Sequence, residues 1–153
     1  MTLSLQEISD RLEIQETITR YSHGLDQRLW DQWDLAFAPD AILDFSHVGL
    51  REFTIPEAIE YFSPPETKRI TGQHLLSNTL ITLHGDTATA RSEFTLFTAA
   101  WVDQPGGKAN LNSGGGWYDD ELRRTEAGWR ITRRTAHMKW IKQDTIDWNV
   151  PGR

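Results

Sequence analysis

The sequence predicts a single α+β domain, with helices in its first third and long antiparallel strands after them. Three observations lead there. Residues up to about 63 carry helix start signals and helical spacing of apolar side chains, from Thr71 onward the texture turns to alternating β-type residues, and two glycine turns divide that second part into hairpins. No internal repeat, linker or low-complexity stretch interrupts the 153 residues, a length that suits one domain with a real core.

Ser4 followed by Glu7 is a capping-box pair, so the first helix starts near Leu5. Its apolar pattern changes side: Leu5, Ile8 and Leu12 share one face, and Ile14, Ile18, Tyr21 and Leu25 share nearly the opposite one. The two halves are therefore expected to pack on different neighbours, and Gly24 weakens the last turn. "LWDQWDLAF" reads as a short second helix that stops before Pro39. "AILDF" alternates as a strand, and "HVGLREFT" is a strand or turn segment. Pro56, two residues after Thr54, starts a third helix, "IPEAIEYF", ended by Ser63-Pro64-Pro65. Long strands run through residues 71–102 and 113–141 and curl around the first helix, with turns at His84-Gly85-Asp86 and Glu126-Ala127-Gly128. Asp103 to Gly116, rich in Gly, Asn and Ser, reads as a loop, and "KQDTIDWNVPGR" as an irregular tail.

Composition excludes several classes. With 38% apolar and 25% charged residues and no apolar run of membrane-spanning length, the chain is expected to be soluble and globular. "MTLSLQEISDRLEI" lacks the basic-then-apolar order of a secretory signal. The absence of cysteine excludes disulfides, thiolate metal sites and cysteine nucleophiles, and agrees with a cytoplasmic location. A formal charge of −6 and a pI near 5.3 argue against a nucleic-acid partner. His74 and His84 are ten residues apart, too far for one metal, and no close His or carboxylate cluster exists, so no metal site is expected.

Four polar residues stand in stretches otherwise built for burial: Tyr21 and Asp26 in "ITRYSHGLDQRLWD", His74 in "GQHLLSNTLITL", and Arg134 in "GWRITRRTAHMKW". Buried carboxylate, imidazole and guanidinium groups cost free energy unless paired, so three in one small domain suggest a lined pocket. A carboxylate that fixes one imidazole nitrogen leaves the other free to take a proton. Each residue also has a plainer reading. Asp26 can be a helix-end residue in water or a cap for the helix at Leu29, and His74 a satisfied core histidine. Tyr21 lies on the apolar stripe with Ile18 and Leu25. It is about 140° round the helix from Asp26, so the two can flank a pocket mouth but not stand in line. Asn78, on the face of His74 if the strand is regular, orients His74 or a substrate, or only satisfies a strand position. Arg134 shares a face with Met138 and Trp140 on a regular strand, or is a surface ladder residue. His47, His84 and His137 are weaker candidates. Seven tryptophans are many for this length, and large aromatics line pockets and interfaces as well as filling cores.

The segments "IQETITRYSHGLDQRLWDQWDLAFAPDAILDF", "HLLSNTLI" and "GGGWYDDELRRTEAGWRITRR" resemble the SnoaL-like polyketide-cyclase group. That group belongs to a superfamily that includes scytalone dehydratase, ketosteroid isomerase and nuclear transport factor two. Tyr-x4-Asp closing a helix, followed by His-x3-Asn on a long strand, is the more specific part. The resemblance implies a cone: a strongly curved, mostly antiparallel sheet wrapped around about three N-terminal helices, with one deep apolar pocket. It implies a cofactor-independent lyase or isomerase acting on a small hydrophobic, cyclic or aromatic molecule. Asp26 and His74 match the family's Asp–His pair, and Tyr21 stands where the dehydrochlorinase has lysine and the bile-acid dehydratase tyrosine. Arg134, or Arg133 with one residue of slip, matches the strand arginine. Trp30, Trp33, Phe45, Phe62, Phe97 and Trp101 are the expected pocket aromatics. One departure is visible: near Phe97 the dehydratases carry a polar Asp or His. That departure favours an alternative, a non-catalytic small-molecule binder or a structural subunit resembling the small subunit of ring-hydroxylating dioxygenases.

Strand parity bears on assembly. Trp117, or Trp129 with Ile131, cannot all face the pocket together with the opposite-parity set, so the outer sheet face is expected to be apolar. A homodimer packed sheet against sheet, or a trimer by a related face, follows as the expectation.

Overall fold

Three helices and six strands follow one another in the computed structural model, which describes residues 2–63, 68–103 and 105–148. In chain order they are α1 (Leu5–Gln27), α2 (Trp30–Ala36), β1 (Phe37–Asp44), a 3-10 turn (Ser46–Val48), β2 (Glu52–Thr54), α3 (Ile55–Tyr61), β3 (Arg69–His84), β4 (Thr87–Trp101), β5 (Lys108–Thr125) and β6 (Gly128–Asp147). The strands form one sheet in the order β2-β1-β6-β5-β4-β3, antiparallel except where β1 runs parallel to β6. The α+β class and the wrapped, mixed sheet hold, and the sheet stays open rather than closing into a barrel. Both hairpins turn where the glycines predicted. The Pro64-Pro65 stop of the third helix lies outside the described residues.

α1 is capped as its sequence demands: the Ser4 hydroxyl accepts from the Glu7 amide at 3.2 Å, and the Glu7 carboxylate accepts from the Ser4 amide at 2.8 Å. Ile14, Ile18, Tyr21 and Leu25 are buried against the sheet, as their spacing required. The other stripe does not pack: Leu5, Ile8 and Leu12 face solvent. Polar anchors hold this end instead. Asp10 sits on the sheet-facing line with Ile14 and Thr17, and it takes a bidentate pair from Arg124 (2.6 and 2.8 Å) and a bond from Trp129 Nε1 (3.2 Å). Arg11 donates to the Ile81 carbonyl at 2.8 Å. Gly24 is needed for contact: a Cβ there would overlap the Trp33 indole, whose Nε1 donates to the Tyr21 carbonyl at 3.0 Å.

Three expectations are corrected in the strands. The Gly/Asn/Ser-rich segment becomes strand at Lys108, and β6 continues through the expected irregular tail to Asp147. Polar composition misled here, because both partners of this stretch are polar and the strands pair Asn with Gln and Thr: Gln143 donates to Asn112 at 2.9 Å and Thr145 to Asn110 at 2.8 Å. Gly114, Gly115 and Gly116 sit mid-strand, where the β5–β6 register shifts between Gly115 and Gly116. A Cβ at Gly116 would run into the His137 carbonyl and one at Gly115 into the Trp140 indole.

The third correction concerns faces. Trp129 and Ile131 are both fully buried in the core, while Trp117 lies on the outer side. There its ring stacks on His137 (centroids 4.6 Å apart), which stacks in turn on His47 (4.8 Å). Arg91 and Lys139 reach over the Trp117 ring, and Arg91 holds Asp119 in a bidentate pair at 2.6 and 2.9 Å. The outer face is thus a mesh of rings and ion pairs, not the bare apolar surface expected.

The Asp10 anchor makes stability depend on acidity. Hydrogen bonds from Arg124 hold its carboxyl well below the usual carboxylate range, against the opposing effect of burial. A group lowered in this way contributes stability that is complete above its unfolded value of about 3.9 and is lost as the pH falls through the folded one. We expect the thermal midpoint to fall steeply below about pH 4, and Asp10→Asn to flatten that fall. An unchanged acid limb in the variant would contradict this assignment.

Candidate active site

The last turn of α1 carries Asp26 to the edge strand β3. Arg28, in the left-handed conformation at φ 57°, ends the helix and returns its amide to the Gly24 carbonyl. Arg69, at the start of β3, donates to the carbonyls of Leu25 (3.0 Å) and Asp26 (2.9 Å), satisfying acceptors that the helix leaves open. The Asp26 carboxylate then receives two bonds from one residue: the backbone amide of His74 on Oδ2 and its ring Nδ1 on Oδ1, both at 2.6 Å. Both side chains are nearly buried, 13% exposed for Asp26 and 8% for His74. A carboxylate here only accepts, which places the ring proton on Nδ1 and leaves Nε2 with an open lone pair. Nε2 has no protein hydrogen-bond partner among the described residues.

Tyr21 stands beside the imidazole, edge to face at 6.4 Å, and stacks on Trp33 at 5.5 Å. Burial pushes its phenol above the ordinary value, with the neighbouring Arg134 pulling partly the other way, so it stays a donor. Arg134 lies behind it, fully buried, its guanidinium between the Tyr21 ring at 4.2 Å and the Tyr118 ring at 4.5 Å. Asp120, equally buried, holds Nε and Nη2 of Arg134 at 2.7 Å each. Burial alone would lower the Arg134 pKa, yet Asp120 and the two phenols outweigh it and raise the value. Nη1 of Arg134 makes no protein hydrogen bond among the described residues.

Tyr21, Asp26, His74 and Arg134 therefore form one contiguous cluster. Arg133 is excluded from it: it faces the rim and pairs with Asp44 (2.7 Å) and Glu52. Beside the dyad lies a cleft of about 600 Å³ between α1 and β3, lined by Thr19, Ser22, His23, Thr71, Leu76 and Phe97 among others. Of the expected aromatics only Phe97 lines it. On β4 the residue paired with His74 is Leu96, while Phe97 pairs with Gln73, so an apolar Leu occupies the place opposite the imidazole. Trp33 lines a second cleft of about 660 Å³, with Phe37, Ile55 and Arg130 but no part of the dyad. Trp30 packs on Trp33, and Phe45 and Phe62 on each other beside Phe53. Trp101 lies against Trp148, away from the site. Asn78 is exposed at φ 52° inside a β-bulge between Ser77 and Leu80 and does not reach His74's face. Trp140 is likewise off the face of Arg134, because the register shifts between Gly115 and Gly116.

Asp120, Tyr118 and Arg69 were missed from the sequence. Alternation of Tyr118, Asp120 and Leu122 on a strand was the available signal for the first two. Among the described residues no group of three or more His, Cys, Asp or Glu side chains is placed to hold a metal ion.

Against known families, residues 6–135 match the SnoaL-like domain. The chain belongs to the SnoaL-like family. Among relatives of this SnoaL-like chain, an uncharacterized protein of Mycobacterium tuberculosis is 38% identical over 133 residues, spanning 86% of this chain and 87% of its own. Among solved structures, a Novosphingobium aromaticivorans protein provisionally described as an aromatic ring hydroxylase superposes with a TM-score of 0.75 at 29% identity, covering 91% of this chain and 94% of that one. A protein of the same organism provisionally described as a scytalone dehydratase gives 0.74 at 17% identity over 95% of each chain. The hexachlorocyclohexane dehydrochlorinase of Novosphingobium barchaimii gives 0.77 at 15% identity, covering 96% of this chain and 99% of that one. The last two, at 17% and 15% identity, share the fold of the SnoaL-like chain. No helix among the described residues is long and apolar enough to cross a membrane.

Proposed function

We propose that the protein is a cofactor-independent lyase or isomerase of the dehydratase type, acting on a small hydrophobic molecule with a ring. The observation that carries this reading is the doubly bonded Asp26–His74 pair beside an open cleft, with Nε2 of the imidazole unpartnered. In this reading Nε2 removes a proton from carbon. The electron pair left behind either expels an oxygen leaving group or moves into conjugation with a carbonyl, giving elimination or a double-bond shift. Tyr21 and Arg134 lie buried behind the imidazole without lining the cleft, and Arg134 favours negative charge developing beside them.

The Leu96 position favours a second reading, in which the chain binds a small hydrophobic ligand without turning it over or serves as a structural subunit. It leaves no second acid or base on β4 opposite His74. A screen of phenolic and terpenoid ketones and alcohols separates the two. Product formation that is lost in His74→Ala, with that variant still folded, supports the enzyme. Thermal stabilisation without product in any member of the set supports the binder. Turnover undiminished in His74→Ala would remove His74 as the base.

A further inference from the structure

β3 is an edge strand, so half of its backbone groups have no neighbouring strand among the described residues. Which half follows from the dyad. The His74 amide donates to Asp26 at 2.6 Å and so points away from β4. The β3–β4 register runs unbroken from Thr71 to Ser77, and backbone groups along a strand alternate in direction. Gly72 and Leu76 therefore also turn their N–H and C=O groups to the open edge, while Gln73 and Leu75 bond to β4. Helix α1 stands along this edge and supplies side chains where a strand would supply backbone. Asp26 takes the His74 amide at one end. At the other, past the bulge at Asn78, Arg11 donates to the Ile81 carbonyl at 2.8 Å. Between these two ties Thr19 and Ser22 line the cleft, but their hydroxyls donate back into their own helix, to the carbonyls of Gln15 (2.8 Å) and Thr19 (2.9 Å). The Gly72 end of the edge is crowded: a Cβ there would meet the Arg69 guanidinium and the Asp26 carboxylate. Leu76 lines the cleft, and its amide has no side-chain acceptor among the described residues.

We propose that the Leu76 N–H is the hydrogen-bond donor that holds the oxygen of the bound ligand, two residues and about 7 Å along the strand from His74. The inference rests on the reading of His74 as the base. Tyr21 and Arg134 do not line the cleft, so charge that forms on a ligand oxygen there needs a donor of the cleft itself. A backbone amide suits this task because it is fixed before the reaction begins. In the reaction, Nε2 takes a proton from the carbon next to a carbonyl. The C–H electron pair becomes a new C=C bond, and the carbonyl π pair moves onto the oxygen that Leu76 holds. The proton then returns from Nε2 to another carbon of the conjugated system, or leaves as water with an expelled hydroxide. The Leu76 and Phe97 side chains give the ring apolar walls. An extended peptide added to this edge is the poorer fit, because Asp26 already occupies the His74 amide in the middle of the open stretch.

Two probes test the donor: para-nitrophenolate, a ring with a charged oxygen, and para-nitroanisole, the same ring with that oxygen methylated. In the unaltered chain, para-nitrophenolate should move the Leu76 amide proton resonance downfield, and para-nitroanisole should not. Leu76→Pro deletes the N–H at an outward-facing edge position, where a strand accepts proline. It should weaken phenolate binding by on the order of tenfold or more and leave anisole binding unchanged. Leu76→Val keeps the amide and should affect both probes alike. The resonance shift needs no variant, so it decides the matter if Leu76→Pro does not fold. No shift at Leu76, no binding of the phenolate at millimolar concentration, or equal loss of both probes in a folded Leu76→Pro would each overturn the proposal. Neither readout uses turnover. Phenolate held at Leu76 in a chain that yields no product from any compound of the screen would keep the donor and remove the enzyme. Turnover undiminished in Leu76→Pro would keep the enzyme and remove the donor.

Discussion

Asp120→Ala should remove a large share of the domain's stability. The substitution leaves the Arg134 guanidinium, 0% exposed, with only the faces of Tyr21 and Tyr118 for company. Breaking one side of a buried ion pair costs about 3–5 kcal/mol, against a total stability of roughly 5–15 kcal/mol for a domain. Urea titration reads the loss as a fall in midpoint with unchanged slope. Removing both charges together is a different matter. Asp120→Leu with Arg134→Met avoids the orphaned cation and should recover most of the lost stability, because paired apolar replacements of buried ion pairs are often neutral. A double variant as unstable as Asp120→Ala would show that the pair's hydrogen bonds, rather than the stranded charge, hold the interior together.

Asp26→Asn should carry the largest purely functional effect. The carboxamide keeps the shape of the carboxylate and can still accept from the His74 amide, so the α1–β3 junction survives. It no longer offers two acceptors, and its amide nitrogen can donate to Nδ1, which would move the imidazole proton to Nε2 and block the basic nitrogen. Turnover should fall by about 10²–10⁴, the range over which a general base acts. The loss should appear in kcat with KM nearly unchanged, and the thermal midpoint should shift little. Combining it with His74→Ala should add almost nothing further, since the two residues act as one unit. An Asp26→Asn protein with full kcat would reduce the pair to a structural tie between helix and strand.

How far these residues could be read from the chain depended on strand register. The capping box at Ser4, the buried line of Ile14, Ile18 and Tyr21, and both hairpin turns are local signals, and each was legible. The dyad was legible only through family resemblance, because nothing local brings position 26 to position 74. Arg133 and Arg134 could not be separated for a definable reason. Near the turn Leu122 pairs with Ile131, and in that register Asp120 would meet Arg133. A bulge at Thr132 inserts one residue, so Glu121 meets Arg133 and Asp120 meets Arg134. The same insertion lets Trp129, Ile131 and Arg134 all point inward, which simple alternation forbids. Asn78 and Trp140 were misplaced by the same mechanism, at bulges of their own. Leu5, Ile8 and Leu12 failed otherwise: an apolar stripe on a helix gives no information on whether the sheet reaches it.

The glycine run at residues 114–116 lets β5 approach β6 more closely than side chains there would allow. His74 is level with Gly114 across β4, through its pairing with Leu96, whereas Tyr118, Asp120 and Arg134 lie a few residues further along their strands. A side chain at Gly116 would have to displace the His137 carbonyl, and one at Gly115 the Trp140 indole, so backbone clearance rather than chemistry fixes these positions. Three residues without side chains thus set the spacing on which the neighbourhood of the imidazole depends.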